Sequence, residues 1–259
     1  MRVLLVEDDP GVRHFFEMVC ADLPLSLRCA GTAREALKLM ADDWPDLLIT
    51  DLMLPGEHGL WLVDQVRRLG AAQGGNAPRT VIFTADTSAQ TALAIQQARV
   101  WRVLRKPASV ADIEACMHEA AQADDAAADS PAPAVQTPIG VDDDPVHIHF
   151  AGNRALFDAF ANGARSRFPA DLAEGQAALQ RADAAALERL AHSLKTVLRM
   201  LGDQAGSLAA ARLEDAAHGL GLKDGAHNGD RNAHELAALW AALATSLAAQ
   251  VAVDPAAQS

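Results

Sequence analysis

The sequence predicts two domains, an α/β domain built on a doubly wound five-stranded parallel sheet and, after it, an all-α helical bundle. Short apolar runs alternate with amphipathic stretches from residue 1 to about residue 121, which is the pattern of a βα repeat. Beyond about residue 145 the sequence is rich in Ala and Leu, has helical periodicity and carries almost no strand signal. A length of 259 residues also exceeds that of one typical domain.

Five apolar runs mark the strands of the first domain. Three of them are nearly continuous in Val, Leu, Ile or Phe, as expected of parallel strands covered by helices on both faces. The runs are Val3–Val6, Leu25–Cys29, Leu47–Thr50, Thr80–Phe83 and Val100–Leu104. The helices predicted after them are Pro10–Ala21, Thr32–Ala41, Gly59–Leu69, Ser88–Gln97 and Ser109–Ala121.

Shifts in composition place the domain boundaries. We predict the α/β domain over residues 1–121, a solvated linker over residues 122–145 and the bundle over residues 146–252. The linker is rich in Ala, Asp and Pro, which favours a semi-extended chain. The helices predicted for the bundle are Ala155–Phe168, Asp171–Arg181, Ala184–Leu201, Gln204–His218 and Ala233–Val251.

Bulk properties argue against several classes of function. A net charge of −12 without a Lys/Arg cluster disfavours binding to nucleic acid or anionic lipid. Three cysteines without metal-type spacing favour buried thiols over disulfides or zinc ligands. The sequence has neither a signal-peptide pattern nor a long apolar stretch, which predicts a cytoplasmic protein without membrane insertion.

Acidic residues follow two of the predicted strands. Glu7 and Asp8 come after the first strand, and Asp51 comes after the third. Because the carboxyl ends of parallel strands border one crevice, we expect the three carboxylates to converge and to need a cation such as Mg²⁺. Thr84 after the fourth strand and Lys106 after the fifth would add a hydroxyl and an ammonium that can hold phosphoryl oxygens.

These residues resemble the response-regulator receiver family, which has a flavodoxin-like fold. The matching segments are Val6–Asp9, Thr50–Gly56, Phe83–Ala85 and Lys106–Pro107. The resemblance implies that Asp51 is the phosphoacceptor and that Thr84 and Lys106 contact the phosphoryl group. It also implies an Mg²⁺ ion at Asp51, with Asp8 as a direct ligand, Glu7 as an outer acidic partner and the Met53 carbonyl as a further ligand.

Some positions depart from expected patterns. Receivers usually carry Tyr or Phe three residues before the lysine, where this chain has Val103, so signalling through an aromatic switch is not expected. Ala108 replaces a larger apolar residue, and residues 71–78 form a long Gly-rich loop. The competing haloacid dehalogenase-like phosphatases would need a carboxylate at Met53, which excludes that class.

The second domain offers His192 within a strongly helical stretch. Lys195 and Arg199 follow it by three and seven residues, which at 100° per residue places them at about 300° and 340° on the same face. The apolar stripe Leu190, Leu194, Val197, Leu198 and Leu201 covers the remaining angles. We therefore expect the His192 side of the helix to be exposed.

The segment Ala191–Lys195 resembles histidine phosphotransfer (HPt) domains, four-helix bundles with an exposed phosphorylatable histidine. The resemblance covers roughly residues 146–251 and implies that His192 becomes phosphorylated, with Lys195 holding the phosphoryl oxygens. Thr196 stands where the family usually has glycine and Arg199 where it usually has a small residue. Their bulk would restrict which receivers dock.

Three functional hypotheses follow. In the first, the chain is a phosphoryl carrier of a bacterial two-component system. A sensor histidine kinase phosphorylates Asp51, and His192 receives that group or exchanges one with another receiver. In the second, the bundle is a docking module regulated by the receiver, and His192 is inert. In the third, His192 drains another regulator toward Asp51 and water. The sequence contains no recognisable ATP-binding segment, so turnover as a kinase is not expected.

Overall fold

A computed structural model of the chain describes residues 1–72, 77–86, 88–122, 144–221 and 229–252. Contacts divide this part of the chain into two compact units, one of residues 1–122 with 148–152 and one of residues 144–147 with 153–252. Most of the predicted linker, residues 123–143, lies outside the described residues. Within the described ranges, no helix combines the length and the hydropathy needed to cross a membrane.

The first unit contains the predicted doubly wound sheet. Its five strands lie in the order β2-β1-β3-β4-β5, and every neighbouring pair is parallel. The strands are β1 (Arg2–Val6), β2 (Ser26–Ala30), β3 (Leu47–Asp51), β4 (Arg79–Thr84) and β5 (Arg102–Arg105). The helices are α1 (Pro10–Cys20), α2 (Ala33–Asp42), α3 (Gly59–Ala72), α4 (Ala89–Gln97) and α5 (Val110–Gln122).

Local chemistry explains where these helices begin. Asp9, Thr32 and Ser88 precede α1, α2 and α4, and each side chain accepts hydrogen bonds from backbone N–H groups of the first turn. Every residue of β3 is buried, as expected of a central strand covered on both faces. The fold therefore places the end of β3 at the centre of the strand edge, between the ends of β1 and β4.

The second unit is a helical bundle. Its four long helices are α7 (Arg154–Gln180), α8 (Ala184–Met200), α9 (Gln204–Gly221) and α10 (Gly229–Val251). The short helix α6 (Pro145–Phe150) precedes them, and its residues are divided between the two units. Each of the four long helices contacts the next, and α10 closes on α7. The prediction of an all-α bundle is confirmed, and its core is apolar, with buried Phe160, Phe168, Leu198 and Leu243.

The prediction of two separate helices over Ala155–Phe168 and Asp171–Arg181 was wrong. One helix, α7, runs through both segments with Pro169 in its interior. Phe168 and Ala178 are buried, whereas Pro169 is exposed. Because the carbonyl that loses its backbone donor at a proline can bond to water on an exposed face, packing of the apolar face outweighs the local cost.

Gly175 allows α7 and α10 to approach each other closely. The indole of Trp240, which is only 4 % exposed, lies where a Cβ on Gly175 would be. The ring is rigid and enclosed, so it has little room to move aside. The close contact of α7 with α10 therefore depends on the absence of a side chain at position 175.

Gly175→Ala is expected to destabilise the bundle by about 1–3 kcal/mol, because the added methyl group overpacks the core against Trp240. Gly219→Ala is the matched control, since nothing lies within 4 Å of a Cβ built at this position of α9. The control should be neutral or stabilising by up to ~1 kcal/mol through helix propensity. Urea unfolding of the full chain, followed by circular dichroism, measures both; equal effects would contradict the packing argument.

Candidate acidic metal site and buried histidine

Sheet order brings the three acidic residues together as predicted. Strand β1 pairs with β3, so Glu7 and Asp8, which follow β1, lie beside Asp51, the last residue of β3. One carboxylate oxygen from each of these residues lies within 4.8 Å of the others. In the described part of the chain this is the one group of three or more His, Cys, Asp or Glu side chains close enough to hold a metal ion.

Lys106 lies between two of these carboxylates. Its Nζ is 2.8 Å from Oδ2 of Asp51 and 2.7 Å from Oε2 of Glu7. All three side chains are at least 98 % buried, while Asp8 remains half-buried. The ammonium therefore neutralises part of a cluster that carries more negative than positive charge.

This charge balance perturbs the ionisation of both buried partners. Burial and the neighbouring charges of Asp51 and Asp8 raise the pKa of Glu7 to about 8, although Lys106 opposes the shift. Burial alone would lower the pKa of Lys106, but the carboxylates of Asp51 and Glu7 outweigh it and raise that pKa. Burial is the largest cause of the raised Glu7 pKa, and the single ammonium offsets it only in part.

The donor set fits a hard divalent cation. Carboxylate oxygens, of which this site offers three, are ligands that Mg²⁺ prefers. The backbone N–H of Met53 donates to Oδ1 of Asp51 at 3.2 Å, which orients the Asp51 carboxylate. The role of the Met53 carbonyl as a further ligand stays a prediction.

Thr84 ends the strand next to β3. Phe83 is the register partner of Asp51, and Thr84 is the next residue of β4. Its side chain is buried, and its hydroxyl accepts a hydrogen bond from the N–H of Asp86 at 3.0 Å. Thr84 and Lys106 thus approach the acidic crevice from the two strands that follow Asp51 in the sheet.

Sequence reasoning missed two residues that shape this crevice. A Cβ on Gly59, the first residue of α3, would overlap the backbone carbonyl of Asp51, so a glycine is needed for α3 to begin so close to β3. Arg13 of α1 donates from Nη1 to the carbonyls of Glu7 at 2.5 Å and Asp8 at 2.8 Å. Gly59 was visible as a helix start, but nothing in the sequence marked the contacts of Arg13.

The expectation of an exposed His192 was wrong. The residue is only 7 % exposed, because α9 packs against this face of α8. Its Nδ1 lies 2.6 Å from Oε1 of Glu214 on α9, and Lys195 binds the other carboxylate oxygen of Glu214. Lys195 does share the His192 face, whereas Arg199 lies exposed in the last turn of α8.

Glu214 is the functional candidate that sequence reasoning missed in this domain. Burial alone would raise its pKa, but hydrogen bonds and charges from His192 and Lys195 outweigh burial and lower it. An ionised Glu214 accepts the Nδ1–H of a neutral imidazole and so fixes its tautomer. Glu214 follows His192 by 22 residues, and only the antiparallel packing of α8 and α9 makes the two neighbours.

The bulk of Thr196 was expected to restrict the docking of receivers, but this residue is not at the surface. It is 4 % exposed and belongs to the core of the bundle, so its bulk does not obstruct an approach to the surface near His192.

Among the other histidines, His218 pairs with Glu188 at 2.7 Å and His147 with Asp144 at 3.2 Å. All three cysteines are free thiols, and burial raises the pKa of each.

Comparison with known proteins identifies relatives of the first unit. A family model described as the response regulator receiver domain matches residues 3–118. The response regulator protein PilR of Pseudomonas aeruginosa is 32 % identical over 108 residues, which are 41 % of this chain and 23 % of PilR. The sensory/regulatory protein RpfC of Xanthomonas campestris is 28 % identical over 113 residues, 44 % of this chain and 15 % of RpfC. This chain thus spans less than a quarter of either relative.

Smaller proteins are covered more fully. An uncharacterized 14.6 kDa protein of Leptolyngbya boryana is 30 % identical over 93 residues, which are 36 % of this chain and 71 % of that protein. The solved structure of the chemotaxis response regulator CheY4 of Vibrio cholerae has 22 % sequence identity and a TM-score of 0.42, and covers 46 % of this chain and 97 % of CheY4.

Mg²⁺ is expected to raise the thermal stability of the chain, because it offsets the repulsion among Glu7, Asp8 and Asp51. Free Mg²⁺ at a hundredfold excess over its Kd would add about 2.7 kcal/mol. Asp8→Asn should abolish this gain, whereas Asp64→Asn, which alters an exposed carboxylate paired with Arg68 on α3, should retain it. Thermal unfolding at constant ionic strength tests this, and an equal gain in both variants would contradict the site.

Glu214 is expected to titrate below the ordinary glutamate pKa of about 4.3. A depressed pKa stabilises the folded state above that ordinary value, and this stabilisation is lost as the pH falls through the folded-state pKa. Carboxyl ¹³C NMR of Glu214 measures the midpoint directly. Lys195→Met should raise the midpoint toward the ordinary value; a midpoint insensitive to Lys195 would argue against the ion pair.

Proposed function

The chain belongs, over residues 3–118, to the response regulator receiver family, and from this premise we propose that the protein is a phosphorelay component. Asp51 would accept a phosphoryl group, and His192 would carry one. The observation that carries the first half is the convergence of Glu7, Asp8 and Asp51 within 4.8 Å at one strand edge. The second half rests on the geometry of His192, Lys195 and Glu214.

The chemistry proposed for the receiver is a phosphoryl exchange. A carboxylate oxygen of Asp51 would attack the phosphorus of a phosphohistidine on a partner, an O–P bond would form, and the N–P bond would break as the imidazole leaves. The product is an acyl phosphate, which is labile to hydrolysis. The Met53 N–H orients the Asp51 carboxylate for this step.

The transferred phosphoryl group carries negative charge on its oxygens. Bound Mg²⁺ would supply positive charge beside these oxygens, and Glu7, Asp8 and Asp51 are the residues that would hold the ion. Lys106, already 2.8 Å from Asp51, would exchange part of its contact with the carboxylates for a phosphoryl oxygen. The buried hydroxyl of Thr84 would donate to another oxygen of that group.

The proposal for His192 follows from its hydrogen bond. With Nδ1 held by Glu214 at 2.6 Å, Nε2 carries the lone pair of the neutral ring. This nitrogen is buried, so attack on an aspartyl phosphate would require the packing around it to open. The carboxylate would also stabilise the positive charge that develops on the ring during transfer. Lys195, with 21 % of its side chain exposed, would neutralise the phosphoryl oxygens.

The burial of His192 favours a second candidate function. An imidazole only 7 % exposed and held by a carboxylate is also what a structural histidine in a core would look like. In that case the bundle would be an interaction module whose docking depends on phosphorylation of Asp51. Under either function the protein accepts and carries phosphate rather than turning over a substrate, and its partners would be a sensor histidine kinase or another receiver domain.

Phosphate transfer tests the two functions. We expect a small phosphodonor with Mg²⁺ to label Asp51 with alkali-labile phosphate in the wild type but not in Asp51→Asn. A phosphorylated receiver should place acid-labile, alkali-stable phosphate on Asp51→Asn but not on Asp51→Asn/His192→Gln. His234→Gln, which alters an exposed histidine of α10, is the matched control for the His192 change and should leave labelling intact. Label on Asp51 of the wild type, with no alkali-stable phosphate on Asp51→Asn, would leave the docking module as the function of the bundle.

A further inference from the structure

Arg13 makes two hydrogen bonds that converge on the acidic segment. A single guanidinium nitrogen, Nη1, donates to the carbonyl oxygens of Glu7 at 2.5 Å and Asp8 at 2.8 Å. The side chain starts in the first turn of α1 and is half-buried. Two consecutive peptide units that carry two of the three crevice carboxylates are therefore tied to one helix.

These carbonyls need an external partner because of where they lie. Strand β1 ends at Val6, so Glu7 and Asp8 lie beyond the last ladder pair between β1 and β3. The N–H of Glu7 still bonds to the carbonyl of Ala30 at 3.0 Å, and part-buried carbonyls without a partner would be costly. Arg13 supplies the donor that the sheet no longer provides.

The other end of the segment is fixed by the helix cap. Oδ1 of Asp9 accepts from the N–H groups of Gly11 at 2.5 Å and Val12 at 2.9 Å. Hydrogen bonds to Ala30 at one end, within the Asp9 cap at the other and from Arg13 between them restrain the backbone that carries the Glu7 and Asp8 carboxylates. A restrained backbone sets the direction in which each carboxylate leaves it.

A guanidinium beside a cation site has two opposing effects. As a charge it repels a divalent ion and should weaken binding. As a donor to the carbonyls it preorganises the ligands and should strengthen binding. Removing Arg13 therefore has opposite consequences for metal affinity under the two roles, so the sign of the change identifies the dominant role.

We infer that Arg13 is a positioning residue for the Mg²⁺ site, holding Glu7 and Asp8 in place through their backbone carbonyls. The inference rests on the metal site proposed above. Arg13 would not touch the ion or the phosphoryl group. We expect the geometric effect to outweigh the repulsion, because the guanidinium donates to the carbonyl oxygens of both Glu7 and Asp8.

The test is the Mg²⁺ affinity of the full chain, with Arg13→Met and Arg13→Lys compared with the wild type. The matched control is Arg79→Met, since Arg79 Nη1 donates to the carbonyl of Ala120 at 2.7 Å from the start of β4, at the opposite end of the strands. Amide chemical shifts followed during MgCl₂ titration at constant ionic strength give the Kd. Thermal unfolding without Mg²⁺ checks that each variant is folded.

We expect Arg13→Met to raise the Mg²⁺ Kd about tenfold, in line with the loss of a residue that orients metal ligands. Arg13→Lys, which keeps the charge but loses the planar guanidinium, should fall between Arg13→Met and the wild type, and Arg79→Met should match the wild type. Tighter or unchanged binding by a folded Arg13→Met chain would overturn the positioning role. A wild type that binds no Mg²⁺ would instead overturn the metal site itself, which separates the two failures.

Discussion

The buried ion pairs of Lys106 with Glu7 and Asp51 are the constraint on which the receiver site depends. The Lys106 ammonium lies within 2.8 Å of both buried carboxyl groups and offsets part of the cost of burying them. Lys106 follows β5, Glu7 follows β1 and Asp51 ends β3. The contact between their side chains therefore forms only when the strands pair in their native order. The same residues remain net negative, which makes the crevice suitable for a divalent cation and, with that cation, for a phosphoryl group.

The second domain uses the inverse arrangement. At the receiver site one cation lies between two carboxylates, whereas in the bundle one carboxylate, Glu214, lies between the imidazole of His192 and the ammonium of Lys195. With a neutral imidazole, the charges of Lys195 and Glu214 cancel around the histidine, whereas the local charge is negative around Asp51. A phosphoryl group bound at His192 would contact the Lys195 ammonium, but at Asp51 it would need a metal ion as well. This difference is consistent with an acceptor or switch role for Asp51 and a carrier role for His192.

Family membership and geometry support different parts of the proposal. The match over residues 3–118 establishes the receiver, and the crevice has the side chains that the receiver chemistry requires. The proposal for the bundle rests on one hydrogen-bonded cluster, in which a carboxylate fixes the tautomer of a buried imidazole. Burial of His192 is the feature that separates the two candidate functions. A carrier needs a partner to reach Nε2 of His192, whereas a docking module needs the histidine only as part of the packing between α8 and α9.

The sequence by itself determined the sheet, the all-α bundle and the identity of the crevice residues, because these follow from strand runs, helical periodicity and residues placed at strand ends. Pattern and spacing along the chain are enough to predict the crevice residues, because a parallel sheet places the carboxyl ends of its strands at one edge. Tertiary structure decided the rest. Helix α7 continues through Pro169 because packing outweighs one lost hydrogen bond, and His192 is covered because α9 packs against the face that periodicity left polar. Arg13 and Glu214 act across the fold on backbone carbonyls and on an imidazole of another helix, and contacts of that kind leave no periodic signal in the sequence.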